Sequence, residues 1–148
     1  MGAAAAACTM RTQALNLDAT RPQTAYPIMK FQSDLFETAI TAYGNGWIRV
    51  GRERIEHNVI LDSSGEYRPW SCTDFDALAV EHFAELARTE PEVVLFGSGA
   101  AIRFPRPAWI RPLLQARIGL ETMDTQAACR TYNILAGEGR RVVAALLL

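Results

Sequence analysis

Cys129 lies about one turn into a predicted helix, with Arg130 beside it. A helix N-terminus and a neighbouring cation both favour thiolate, the form of cysteine that attacks electrophiles. A nucleophile also needs a positioned base. The two histidines, His57 and His82, stand far from Cys129 in the chain, and nothing in their spacing brings either to it. The competing reading of Cys129 is a small buried residue that packs its helix on a sheet. Two further stretches offer a ligand site, Gly97-Ser98-Gly99 and Met123-Asp124-Thr125. Each falls at the carboxyl end of a predicted strand, where open α/β sheets bind ligands. Glycines let the backbone approach a ligand, and free N–H groups can cradle an anion. Gly-Ser-Gly lacks the third glycine of the dinucleotide fingerprint and the Gly-Lys-Ser/Thr of a P-loop, and it also serves as a plain strand-to-loop turn. Asp124 is most simply a helix N-cap, with a general base as the functional alternative. The candidate ligand pocket is therefore Gly97, Ser98, Gly99, Asp124, Thr125 and Cys129, and no catalytic set is assigned.

A second constellation follows the glycine loop: Arg103, Phe104, Arg106 and Trp109. Net charge is −1, so bulk electrostatics point to no polyanionic partner. The charge is unevenly spread, however. Arg52 to Glu92 holds ten acids against four arginines, while Gly97 to Leu148 holds seven arginines against three acids. Between Gly97 and Leu120 stand Arg103, Arg106, Arg111 and Arg117 with no acid among them. That stretch is either a solvated face or a surface that attracts an anion or an acidic protein. Phe104-Pro105 is expected to pin the loop to the core; exposed, the same pair with Trp109 would be a docking patch for a protein. Trp47, Trp70 and Trp109 lack the spacing of a base-stacking platform, and no nucleic-acid motif is present. No metal or cofactor is expected, because Cys8, Cys72 and Cys129 are far apart and away from both histidines. Three such cysteines are no disulfide framework and suit a reducing compartment.

The elements that must hold these residues follow from periodicity. Residues 1–30 read as a disordered lead, an alanine run followed by polar residues and prolines. Residues 31–148 read as one domain, a size that buries a real core. It opens with an antiparallel meander: strands over Thr38–Tyr43, Trp47–Val50 and Arg54–Leu61, with Asn45-Gly46 as the first tight turn. Thr73 or Asp74 then caps a helix to about Arg88, with Phe75, Leu78, Ala79, Phe83, Leu86 and Ala87 on one face. Glu92–Phe96 is a short apolar run suited to a strand buried on both sides. A second helix spans Trp109 to Arg117, stopped by Gly119, and Leu120–Met123 is the next strand. A third helix runs from Asp124 or Thr125 to Gly137, and Arg141–Leu148 closes the sheet. Strands alternating with helices imply right-handed crossovers and a largely parallel sheet. The fold class is α/β: a three-layer domain with an N-terminal antiparallel meander, then β-α-β-α-β-α-β.

The N-terminal run has no basic region and is too short for a secretory signal, and it fails the myristoylation pattern at Ala6. Arg11 and Arg21 with the single acid Asp18 give a faint likeness to a mitochondrial presequence. The apolar tail from Val142 is far too short to span a bilayer, so no transmembrane segment is expected.

Four segments carry a resemblance: Ile40 to Gly44, Pro91 to Gly99, Phe104-Pro105 and, longest and most specific, Glu121 to Leu135. Together they resemble a small family of domains of unknown function that includes an assembly factor of mitochondrial respiratory complex I and an adipogenesis-associated protein. The resemblance covers residues 36–148 and implies a three-layer α/β domain with a central mixed sheet. It brings no catalytic residues. It implies a non-catalytic accessory module with a protein partner, in assembly of a respiratory or membrane complex, and leaves oligomerisation open. Without a clear presequence, a cytoplasmic, bacterial-type member is expected, with the mitochondrion as the alternative. The other functional class is a small-molecule (anion) binding protein or enzyme built on the Gly97–Gly99 loop and the helix after Met123.

Overall fold

A computed structural model describes residues 37–148; the expected lead over 1–30 and the domain start near Phe31 lie outside the described residues. The meander forms as read, but it is shorter. Strands β1 (Ile40–Gly44), β2 (Trp47–Val50) and β3 (Glu53–Ile55) make a three-stranded antiparallel sheet in that order. Gly46, at φ +77°, supplies the left-handed residue that turns β1 into β2.

The expected third strand, Arg54–Leu61, splits in two. β4 (Val59–Asp62) leaves the meander and joins a second sheet with β5 (Tyr67–Pro69), a strand not expected from the sequence. The break falls at Asn58. Its Nδ2 donates to Cys72 O (2.7 Å) and Thr73 O (2.9 Å), and its Oδ1 accepts from Leu148 N (2.8 Å). Those bonds take the side chain out of any strand pattern.

The second sheet adds β6 (Val93–Gly97), β7 (Gly119–Met123) and β8 (Val142–Leu146), in the order β5-β4-β8-β6-β7. β6 runs parallel to β7 and β8; β4 runs antiparallel to β5 and β8. The sheet is therefore mixed, as the resemblance implies, and less parallel than the strand–helix alternation suggested. The returning β4–β5 hairpin is the reason, since a tight turn at Asp62–Gly65 pairs strands antiparallel.

Both faces of this sheet are covered, which explains its continuous apolar strands. Val59, Leu61, Val93, Leu95, Val142, Ala144 and Leu146 point to one side, where α3 (Thr125–Gly137) and the small sheet pack. Ile60, Val94, Phe96, Val143, Ala145 and Leu147 point to the other, against α1 (Val80–Ala87) and α2 (Arg111–Gln115). The alternation along β4, β6 and β8 is the period-two signature of a strand between two layers. Burying Phe83 and Leu86 of α1 contributes roughly 1.5–3 kcal/mol each.

The expected helix from Asp74 to Arg88 is also two pieces. Asp74 Oδ1 accepts from Ala77 N (3.0 Å) and caps only a 3-10 turn, Phe75–Ala77. Ala79 then goes extended, and α1 restarts with His82 Nδ1 accepting from Ala79 N (3.0 Å). His82 thus closes a helix start from inside the first turn. α2 is a shorter version of the expected second helix. It ends before Arg117, which takes φ +56°, and Gly119 opens β7 rather than stopping the helix.

Candidate functional site

The ends of β6, β7 and β8 meet at one place. Thr125, first residue of α3, ties them together: its Oγ1 donates to Leu147 O (2.6 Å) and accepts from Gly99 N (2.9 Å), while its own N–H donates to Gly99 O (2.9 Å). Thr125 and Gly99, 26 residues apart, are thus joined in both directions. Ser98 is fully buried, and its Oγ is spent on the loop, bonding Ala101 O (2.8 Å) and Met123 O (3.2 Å) and accepting from Arg103 N (2.8 Å). Gly97 leaves no room for a side chain, since a Cβ there would stand 2.8 Å from Leu146 Cδ2 and 3.1 Å from Thr125 Cα. Asp124 caps α3, its Oδ1 accepting from Ala127 N (2.8 Å).

A cleft of about 370 Å³ opens beside this junction. Gly99, Ala100 and Arg103 form one wall, Thr125 and Gln126 the base of α3, and Leu147 with Leu148 the end of β8. Asn58, Thr73, Asp74 and Phe75 form another wall, and the β1–β2 tip, Tyr43 to Gly46, closes the far side. That tip is fastened to α3 by Arg130 Nη1, which donates to Tyr43 Oη (3.0 Å). Of the residues expected at a pocket, Gly99 and Thr125 line it; Gly97, Ser98 and Asp124 shape the chain behind it. Asn58, the hairpin tip and Gln126 were not expected. The Asn45-Gly46 turn was legible, but nothing local marks Asn58.

Cys129 is elsewhere. It is fully buried in the core between α3 and the sheet. Its thiol is pushed up to about 12, first by burial, which outweighs the lowering effect of Arg130. Of the two readings of Cys129, the small buried residue that packs its helix on the sheet is the one the structure shows; the helix start offers a modest field, and the apolar surroundings reverse it. Asn133 takes the structural role expected of it. Its Oδ1 accepts from Ile40 N and its Nδ2 donates to Ile40 O, both at 2.8 Å, fixing β1 to α3.

The arginine–aromatic segment forms a surface of its own. Phe104 is 72% exposed and Ile102 52%, so Phe104-Pro105 does not pin the loop to the core. Aromatic rings run outward instead: Phe96 in the core, Phe75 at 6.3 Å, Trp109 a further 6.1 Å on. Arg103 lies over the Phe75 ring (4.3 Å) and Arg106 over that of Trp109 (5.0 Å), cation–π contacts that hold both guanidinium groups in place. Among the described residues the ion pairs are Arg54–Glu56 and Arg68–Glu85, so neither loop arginine is neutralised by an acid. Also among the described residues, no helix is long and apolar enough to cross a membrane, and no three His, Cys, Asp or Glu side chains form a metal-binding group.

Residues 40–147 match the family described as protein of unknown function (DUF498/DUF598). A crystal structure from Bordetella parapertussis is 42% identical, covers 74% of this chain and 93% of its own, and superposes with a TM-score of 0.70. An uncharacterized protein of Rhodobacter capsulatus is 35% identical over 73% of this chain and 82% of its own. NADH dehydrogenase (ubiquinone) 1 alpha subcomplex assembly factor 3 of Bos taurus is 34% identical over 53% of this chain. That match spans 44% of the bovine protein, less than half its length.

Proposed function

The chain belongs to the DUF498/DUF598 family, and from that premise we propose that it works as a non-catalytic accessory module that docks an acidic protein surface. The described residues 37–148 act as an α/β domain. One observation carries the reading: Phe104 and Ile102 stand exposed beside Arg103 and Arg106, whose charges meet no acid among the described residues. Exposed aromatic anchors flanked by arginine are the composition of a binding hot spot. Similarity to a complex I assembly factor supports a place in the building of a respiratory or membrane complex. The same similarity makes the mitochondrion the alternative to a cytoplasmic location.

The test is affinity purification of the tagged protein from its native cells, followed by native mass spectrometry. Wild-type protein is expected to bring down a stoichiometric partner, with capture falling as salt rises. Phe104→Asp combined with Arg106→Glu is expected to weaken that capture at least about a hundredfold, as loss of a central anchor does. A variant that recovers the same partner at the same yield would refute the docking surface.

A further inference from the structure

We propose that the cleft between the Gly99 loop and the β1–β2 tip is a binding site for a small organic monoanion, a carboxylate with a short apolar body. This goes beyond the docking surface, because the cleft opens at the strand ends rather than on the exposed loop. Its position, beyond the carboxyl ends of parallel β6 and β8, is where α/β sheets present ligand sites.

The charge of the ligand follows from the lining. Among the described residues, Arg103 is the one cation on the wall of the cleft. Its guanidinium is held over Phe75 and its Nη2 donates to Ser98 O (3.4 Å), which leaves other N–H groups of the fork for a carboxylate. Asp74 also lines the cleft, but its Oδ1 caps Ala77 N and its Oδ2 accepts from Thr73 Oγ1 (3.4 Å). Arg103 offers one charge-assisted fork, and a second negative charge on the ligand meets no second cation among the described lining residues and faces Asp74. Phosphate dianions are therefore disfavoured. Phe75, Tyr43 and Leu147 supply apolar wall for the body of the ligand. The rim is built in advance by the Thr125 bonds and the Arg130–Tyr43 bond, so little ordering is needed on binding.

The experiment is an amide NMR titration of the full chain with benzoate, benzamide and inorganic phosphate, each up to about 50 mM, where a ligand of ~9 heavy atoms registers. Benzoate is expected to give saturable shifts at Gly44, Gly46, Gly99 and Gln126, and benzamide none. Arg103→Ala is expected to weaken benzoate at least about tenfold, the loss of one charge-assisted bond, with the remaining spectrum unchanged. Gln126→Trp, a change at an exposed position on the lip, is expected to block it. Arg106→Ala leaves it intact, which separates the cleft from the docking loop. No saturable shift with benzoate, equal binding of benzamide, or full affinity in Arg103→Ala each overturns the site. Tighter binding of phosphate than benzoate overturns the ligand class.

Discussion

Cys129 gives the sharpest quantitative test of how this core is built. Its thiol lies among apolar groups between α3 and the sheet and is pushed up to about 12. At about pH 8 an ordinary thiol is ~20% ionised, whereas one at about 12 is ionised in roughly one molecule in ten thousand. The ratio is on the order of two thousand before burial is counted, so alkylation must pass through an opened state. A variant with Cys8→Ser and Cys72→Ala isolates the residue. Iodoacetamide at about pH 8 is expected to label it at least ~1000-fold more slowly than the denatured chain, with a rate that rises with urea. The same shift sets a pH dependence. The folded state holds this proton more tightly than the unfolded state, so the stabilisation is complete below about pH 8.5 and declines as pH rises toward 12. By about pH 10 the loss amounts to ~2 kcal/mol, at ~1.36 kcal/mol per unit. Tyr132, also raised by burial, adds a loss of the same sign at higher pH. Urea denaturation of the wild type and Cys129→Ala across this range isolates the thiol's share. Labelling of native Cys129 within about tenfold of the free thiol rate would sink the reasoning, as would a wild-type stability that tracks Cys129→Ala throughout.

Three further outcomes are expected. Thr125→Val keeps the shape but strands Gly99 N–H and Leu147 C=O, costing about 2–4 kcal/mol in urea denaturation, while Thr125→Ser retains most of that. Asn133→Ala removes both bonds to Ile40 and is expected to cost about 2–3 kcal/mol; hydrogen exchange at Ile40 should speed up more than at Leu95. Gly97→Ala drives a methyl into Leu146 and the start of α3, so calorimetry should show a loss of about 1–3 kcal/mol.

Much of this fold is legible from local signals, and the failures share a cause. β6, β8 and α3 announce themselves because an unbroken apolar run and a capping aspartate are short-range facts. The Arg54–Leu61 and Asp74–Arg88 stretches were read as single elements because their breaks depend on particular side-chain bonds. Asn58 answers to Leu148, 90 residues away, and His82 turns its ring back to Ala79 N. At the site, Gly99 and Thr125 were readable as strand-end residues, and the structure bonds them to each other. Cys129 carries two readings in the sequence, which displays the helix start and Arg130 but not the depth of burial that decides for the packing role. A helix terminus contributes about 0.3–1 kcal/mol, while a three-unit rise corresponds to ~4 kcal/mol, so desolvation decides.

The place of β8 bears on how the protein is made. Among the described residues it is the last strand in sequence, and it is the middle one of its sheet, paired on one side with β4 and on the other with β6. A ribosome delivers the β4–β5 hairpin and the β6–β7 pair first, each with an apolar edge that has no neighbour yet. Neither hydrophobic layer closes before residues 142–147 emerge, because those residues point alternately into both. A chain halted before Val142 is therefore not a smaller domain. It is two open half-sheets, sticky at the seam, and a natural client for chaperones until the missing strand arrives.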